Sequence, residues 1–165
     1  MQAVKHILVI SDTHRQFLYL NRLKETISRP DYIIHLGDVA RDQDYISALF
    51  GCPVDMVAGN NDLFTDLPSE FTIREGRHVI FLTHGHGYSV SSGTERLVRR
   101  ARELGADTAM FGHTHCPLID IRDNIMVVNP GSISQPRQQG RTPTYVMLRV
   151  LKDGEIDCRV HEVII

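Results

Sequence analysis

Ile7-Leu8-Val9-Ile10-Ser11-Asp12-Thr13-His14 is a run of four aliphatic residues that stops abruptly in polar ones. The pattern returns at Tyr32-Ile33-Ile34-His35-Leu36 before Gly37-Asp38, and at 54–58 before Gly59-Asn60. It returns again at 79–82 before Thr83-His84 and at 108–111 before Gly112-His113. Short runs rich in Val and Ile, bounded this way, read as buried strands. Between them, residues 16–28 set Leu20, Leu23 and Ile27 on one helical face. Residues 42–50 form a shorter candidate helix, and residues 93–104 set Leu97, Ala101 and Leu104 on one face ahead of Gly105. Strand, helix, strand predicts an α/β layered core. Further on, 126–128, 144–150 and 156–163 read as strands with few helices between. They predict a second, more antiparallel sheet packed on the first.

At 165 residues and 42% hydrophobic, the chain can bury one sizeable core, and no linker or composition break divides it. A single domain over 1–165 is expected. The formal charge of -2 carries no strong nucleic-acid signal. No apolar run approaches the roughly 20 residues that span a bilayer, so no membrane association is expected. The start lacks a signal-peptide pattern. Cys52, Cys116 and Cys158 form no C-x-x-C pair and read as reduced thiols, so the expected location is cytoplasmic. Assembly into a homo-oligomer stays open.

In α/β sheets, ligands bind at the carboxyl ends of the strands. The residues found there are Asp12, His14, Asp38, Asn60, His84, His113 and His115. Successive members are about one βα unit apart, roughly 30 residues at most, so they should converge on one rim. All are oxygen or nitrogen donors suited to divalent first-row metals, and none is a thiolate. Seven ligands exceed the three or four of a single zinc site, which points to two cations. Asp38 is the natural bridge because Gly37 lets the backbone come close. Asp12, His14, Asp38 and His115 would hold one ion, and Asp38, Asn60, His84 and His113 the other. With two aspartates and a bridging hydroxide the centre stays positive, ready to polarise a phosphate for in-line attack.

In order along the chain, Asp12-Thr13-His14, Gly37-Asp38, Gly59-Asn60-Asn61-Asp62, His84-Gly85 and Gly112-His113-Thr114-His115 resemble the motifs of the calcineurin-like metallophosphoesterase superfamily. The match continues into Asn129-Pro130-Gly131-Ser132. With the short chain and His84-Gly85-His86, it is most similar to the small, single-domain YfcE-like phosphodiesterases. The resemblance implies an α/β (α+β) fold, a two-sheet mixed β-sandwich flanked by helices. It also implies hydrolysis of a small phosphoester substrate with two divalent metal ions, manganese first, with zinc, iron or nickel as alternatives. One position departs from the pattern. The superfamily usually carries a His after the Asn of its third motif, where this chain has Asn61. An amide hydrogen-bonds to a phosphoryl oxygen but cannot protonate a leaving group at neutral pH. That favours a diester substrate, with Asn61 and Asp38 in the catalytic machinery and His86 as a substitute proton donor.

Taken singly, each candidate ligand has an ordinary reading: Asp12 or Asp38 as a helix N-cap, Asn60 and Asn61 as a turn, His84 as a satisfied polar residue. The joint order of seven is what outweighs them. Asn129, Gly131 and Ser132 are candidate substrate contacts or simply a strand-ending turn. Asp62 reads as orienting its neighbours, His35 as a hydrogen-bonded core histidine, and His6, His78 and His161 as surface or sheet residues. Arg96, Arg99, Arg100 and Arg102 read as a solvated helix face. Arg137 could meet a phosphate from its loop, and loops 64–70 and 134–142 should set substrate size. The alternatives are a phosphomonoesterase, a nuclease, or a non-catalytic protein-binding scaffold such as the related retromer subunit. A nuclease should show a broad basic surface. The scaffold has altered ligand positions, whereas all seven are intact here.

Overall fold

The alternation of Ile7, Leu8, Val9 and Ile10 has a simple physical outcome: all four are fully buried, but on two different faces. Leu8 and Ile10 join a cluster with Leu20, Leu23, Ile46 and Phe50. Ile7 and Val9 join another with Ile80, Leu82, Met110 and Val128. A strand buried on both faces must lie inside a layered stack, and this one does. The coordinates, a computed structural model, describe residues 2–39, 43–63 and 65–164.

One sheet has β1 (Ala3–Ile10) at its centre, β2 (Tyr32–His35) and β3 (Val54–Met56) on one side, and β9 (Thr144–Leu151) and β10 (Ile156–Glu162) on the other. The order is β10-β9-β1-β2-β3, with β1, β2 and β3 parallel and β9 and β10 antiparallel to their neighbours. The second sheet has the order β4-β5-β6-β8-β7, from β4 (Glu70–Glu75), β5 (His78–Thr83), β6 (Thr108–Met110), β7 (Leu118–Arg122) and β8 (Ile125–Asn129). Here β5, β6 and β8 run parallel. Helices α1 (Leu18–Thr26) and α2 (Gln43–Phe50) cover the first sheet, through Leu20, Leu23, Ile46 and Phe50. Helix α3 (Glu95–Glu103) covers the second through Leu97, Val98 and Ala101 against Phe81, Ala109 and Val127. The result is two mixed sheets face to face with helices outside, as the resemblance implied.

All three anticipated helices form, slightly shortened; Asp42, the first residue of the 42–50 candidate, lies outside the described residues. The division of strands between sheets differs from the expectation. The C-terminal strands 144–151 and 156–162 do not build a second sheet: β9 pairs directly with β1. The second sheet is instead made in the middle of the chain, and two of its strands, β4 and β7, carry charges that hide their alternation. Each is an edge strand reached by a tight turn, at Gly76 (φ 59°) and at Asp123-Asn124 (φ 48° and 63°). Positive φ at both turn residues matches the twist of a hairpin and suits Asp and Asn.

Because β1, β2 and β3 are parallel, as are β5, β6 and β8, the loops leaving these strands gather at common rims. Asp12, Asp38, Asn60, His84, His113 and Asn129 all lie at or just beyond these carboxyl ends.

Candidate metal centre

Five of the seven candidate ligands sit in the left-handed backbone region: Asp12 (φ 58°), His14 (47°), Asp38 (59°), His113 (68°) and His115 (60°). Each such residue costs on the order of 1 kcal/mol or more, and persists only where the surroundings enforce it. The enforcement is visible. Asp12 N–H donates to Gly37 O at 3.0 Å and His14 N–H to Asp38 O at 3.1 Å, locking the first two loops together. Gly112 N–H donates to His84 O at 2.9 Å, joining the loops of the other sheet. The buried Asp62 carboxylate accepts from three main-chain N–H groups, Asp38 at 2.7 Å, Val39 at 3.2 Å and Gly59 at 2.8 Å. It orients its neighbours, as read from the sequence. Gly59 must be glycine, since a Cβ there would collide with the Asp38 carboxylate and main chain.

These loops bring the seven candidates into one cluster. Asp12 Oδ1 lies 3.1 Å from His115 Nε2, 3.6 Å from His14 Nε2 and 3.8 Å from His84 Nε2. Asp38 Oδ2 lies 3.5 Å from both His14 Nε2 and His84 Nε2, centrally between the two halves. Asn60 Oδ1 lies 3.0 Å from His84 Nε2 and 3.1 Å from His113 Nδ1. Two groupings have their donor atoms close enough to hold a cation: Asp12, His14 and His115, and Asp12, Asp38 and His84. Asp12 thus reaches toward His84 as well as toward its own loop, a proximity the sequence spacing did not suggest.

The donor set suits divalent cations on two counts. Asp12 Oδ1 is buried and has no hydrogen-bond donor. His115 Nδ1 lies 2.7 Å from Gln135 O, and His84 Nδ1 2.7 Å from Leu36 O. A carbonyl only accepts, so both rings donate from Nδ1 and, when neutral, present the Nε2 lone pair. Lone pairs then face carboxylate oxygens across the cluster, an arrangement that needs positive charge between them. With no cation bound, protonated imidazoles would supply that charge: burial disfavours the Asp12 anion, but His115, His14 and His84 in that form, with the Ser11 hydroxyl, outweigh it and hold the carboxyl well below the usual carboxylate range. Asp12 correspondingly raises His14.

The remaining candidates fall in three places. Asn61 donates to Asp38 twice, from its main-chain N–H to Oδ1 and from Nδ2 to Oδ2, both at 2.9 Å. His86 opens a short 3-10 turn (His86–Tyr88), exposed, with its ring 5.4 Å from that of His84 and 6.2 Å from that of His113. Asn129, Gly131 and Ser132 are buried and form a turn at the end of β8, the alternative to substrate contact that the sequence offered. Asn129 and Ser132 are fully buried with their polar groups committed. Asn129 Nδ2 donates to Gly112 O and Thr114 Oγ1, and its Oδ1 accepts from Gly131 N. Ser132 Oγ donates to Asp12 O at 2.9 Å and accepts from the Gln135 N–H. The turn braces the strained Asp12 and His113 loops. Ser134, which also donates to Asp12 O, and the carbonyls of Leu36 and Gln135 were missed, since a main-chain acceptor leaves no signature in sequence.

Arg137 donates its main-chain N–H to His115 O, with its side chain exposed. Of the helix arginines, Arg100 pairs with Glu70 and Glu103, and Arg102 lies on the Asp123 carbonyl. Of loop 64–70, Phe64 lies outside the described residues. His78 bridges Asp107 and Glu155, and His161 stacks on Tyr145.

His35 is the core histidine expected. It is fully buried, its Nδ1 accepts from the Gly37 N–H at 3.1 Å, and its Nε2–H donates to Thr13 Oγ1 at 2.6 Å. Burial depresses its pKa to about 4. The unfolded chain takes up this proton below about 6.5, the folded chain only near 4. Stability from this residue is therefore complete above about pH 6.5 and is lost as pH falls toward 4. At 1.36 kcal/mol per pH unit, moving metal-free protein from pH 7 to 5 should cost about 2 kcal/mol through this group. Urea unfolding at the two pH values should show a shallower drop in His35→Gln; an equal drop would remove His35 from the account.

Two mixed sheets whose adjoining loops gather carboxylates, an amide and imidazoles define a metallophosphoesterase architecture, and the chain belongs to the calcineurin-like phosphoesterase superfamily, whose domain matches residues 6–153. It is 34% identical over 161 residues to "Probable metallophosphoesterase MG207" of Mycoplasma genitalium, covering 94% of this chain and 93% of that one. It is 39% identical over 69 residues to phosphodiesterase YfcE of Escherichia coli K12, covering 42% of this chain and 33% of the other. A crystal structure of a predicted phosphoesterase from Streptococcus pneumoniae TIGR4 superposes with a TM-score of 0.79 at 28% identity, covering 99% of this chain and 95% of that one. Among the described residues no helix is long and apolar enough to cross a membrane.

Proposed function

We propose that this chain is a single-domain phosphodiesterase with a dinuclear centre. Asp12, His14, Asp38 and His115 would hold one divalent cation, and Asp38, Asn60, His84 and His113 the other, with manganese the ion used. The observation that carries the reading is Asp12 Oδ1, a buried acceptor without a donor that faces imidazole Nε2 atoms. Bound there, two divalent cations would lower the pKa of water and clamp the phosphoryl oxygens for in-line attack.

The chain's own residues do the rest. His84 and His115 are oriented by carbonyls behind them, so their Nε2 atoms are aimed before any ion arrives. Asn61 donates to both oxygens of Asp38 and so positions the carboxylate that the two cations would share. It holds no proton to give, so the leaving oxygen must depart largely unassisted. That favours substrates with good leaving groups over alkyl monoesters, and the likeness to phosphodiesterase YfcE supports a diester. His86 is the nearby imidazole that could still deliver a proton, although burial and His84 lower its pKa and so leave less of the proton-bearing form near neutrality. The free thiols of Cys52, Cys116 and Cys158 support a reducing, cytoplasmic setting.

The test is a manganese titration of metal-free protein with a chromogenic diester and its matching monoester assayed in parallel. Diester turnover should rise with metal and saturate near two equivalents. Two bound ions with no turnover of either ester would leave the phosphodiesterase reading without support.

A further inference from the structure

Thr13 is the middle of a strained segment. It lies between Asp12 (φ 58°) and His14 (φ 47°), two candidate ligands in the left-handed backbone region, and is itself fully buried. Two main-chain bonds tie this segment to the second ligand loop, from Asp12 N–H to Gly37 O and from His14 N–H to Asp38 O. One side chain adds a third tie. His35, the last residue of β2, reaches Thr13 Oγ1 with Nε2 at 2.6 Å and the Gly37 nitrogen with Nδ1 at 3.1 Å. It thus holds a residue next to a ligand on each loop, since Thr13 adjoins Asp12 and His14, and Gly37 precedes Asp38. His35 belongs to neither grouping of donors.

The main chain of Gly37 fixes the direction of both bonds. Its N–H can only donate, so Nδ1 offers a lone pair and the ring proton sits on Nε2, which donates to the Thr13 hydroxyl oxygen. The ring has no exposed surface, so water does not compete for either partner. A left-handed residue persists only where its surroundings hold it. Asp12 is braced again from below, by Ser132 and Ser134 on its carbonyl. His14 is held otherwise by its own N–H on Asp38 O and by contacts inside the cluster, to His115, Asp12 and Asp38. The tie at Thr13 therefore matters most for His14.

We propose that His35 is a positioning residue for the metal centre: it keeps Thr13 and Gly37 in register, and so sets the His14 imidazole against Asp12 and Asp38. This inference rests on the metal-centre reading above and adds to it a buried residue that acts through the two loops. If the bond to Thr13 is lost, the segment can relax toward ordinary backbone, and His14 Nε2 leaves its place 3.6 Å from Asp12 Oδ1 and 3.5 Å from Asp38 Oδ2. An ion would then have to pay the cost of reordering that segment when it binds.

The test is a double-mutant cycle read as manganese affinity by calorimetry, with urea unfolding of the metal-free proteins recorded alongside. His35→Asn keeps an acceptor for the Gly37 N–H two residues on, but is too short to reach Thr13. Thr13→Val removes the hydroxyl from the other side at constant shape. Each should weaken manganese binding about tenfold, the lower end of the roughly 10- to 100-fold that an outer hydrogen-bond partner of a ligand is worth. Because both remove one bond, the double variant should bind no more weakly than either alone. Thr13→Ser, which keeps the oxygen, should bind as wild type does. Leu23→Ala, a cavity in the core under α1, should lower stability and leave the affinity unchanged. Additive losses of about 100-fold in the double variant, or weaker binding in Leu23→Ala, would overturn the proposal, since affinity would then follow general stability. Wild-type affinity in either single variant would overturn it too, and Thr13→Val carries the test if His35→Asn does not fold. A wild type that binds no manganese would overturn the metal-centre reading itself, and this inference with it.

Discussion

Asp12→Asn is expected to abolish metal-dependent diester turnover while leaving the fold intact. The amide matches the carboxylate in shape, so the bonds from Ser11 Oγ and His113 N to Oδ2 can persist with the oxygen placed there. The substitution removes a full negative charge. It also puts an amide NH₂ where Oδ1 faces the Nε2 atoms of His115, His14 and His84. An NH₂ group cannot ligate a cation and would hydrogen-bond to an imidazole lone pair instead. Because Asp12 reaches both groupings of donors, the loss should weaken binding at both positions. Losing an outer hydrogen-bond partner of a metal ligand costs roughly 10- to 100-fold in affinity or activity, and losing a ligand should cost more. Calorimetric manganese titration beside circular dichroism checks it. Wild-type affinity in a folded Asp12→Asn protein would remove Asp12 from the centre and with it the argument from its unpartnered oxygen.

The second large effect is a gain. Asn61→His should raise hydrolysis of an alkyl phosphomonoester relative to the matching diester by about 10²-fold, within the roughly 10²–10⁴-fold range of general acid catalysis. Asn61 stands beside Asp38, with its main-chain N–H on Oδ1, and this bond survives any side chain. The side-chain bond from Nδ2 to Asp38 Oδ2 is lost or replaced by an imidazole N–H, so some loss of metal affinity should accompany the gain. An imidazole there can protonate a poor leaving group, which an amide cannot. The effect should therefore grow with the pKa of the leaving alcohol and vanish for a good leaving group. A set of aryl and alkyl esters assayed with wild type and Asn61→His gives that slope. Parallel slopes would mean that proton delivery does not depend on residue 61. In that case His86→Asn becomes the informative variant, since His86 lies 6.2 Å ring-to-ring from His113.

The parts of this protein legible in sequence were those where one residue type does one local thing. Ile7 to Ile10 spell a strand because each residue is apolar and the run ends in polar ones. Leu20 and Leu23 spell a helix face, and Asp12 and His14 mark a strand end. The order of Asp, Asn and His residues along 12–115 depends only on repeated β–α units, and it was sufficient to name the candidate ligands and the family. Local pattern also separated His35 from the site.

Other features depended on partners far apart in the chain. Whether 144–151 belongs to a second sheet or pairs with β1 is a matter of long-range hydrogen bonding, which the residues of β9 do not encode locally. The edge strands β4 and β7 were hidden because an edge strand tolerates charge on its open side. Asn129 and Ser132 read from sequence either as substrate contacts or as a strand-ending turn, since a polar side chain serves both. Burial shows that polarity directed at the backbone of Gly112 and Asp12 instead. The left-handed backbone at Asp12, His14, Asp38, His113 and His115 is likewise enforced from outside, by loops that hydrogen-bond to one another. Sequence by itself determined which donors exist and in what order, since that is a property of residue type. Only the tertiary structure decided which atoms face one another, because distances across 101 residues, as between His14 and His115, are set by the packing of two sheets and by no single segment.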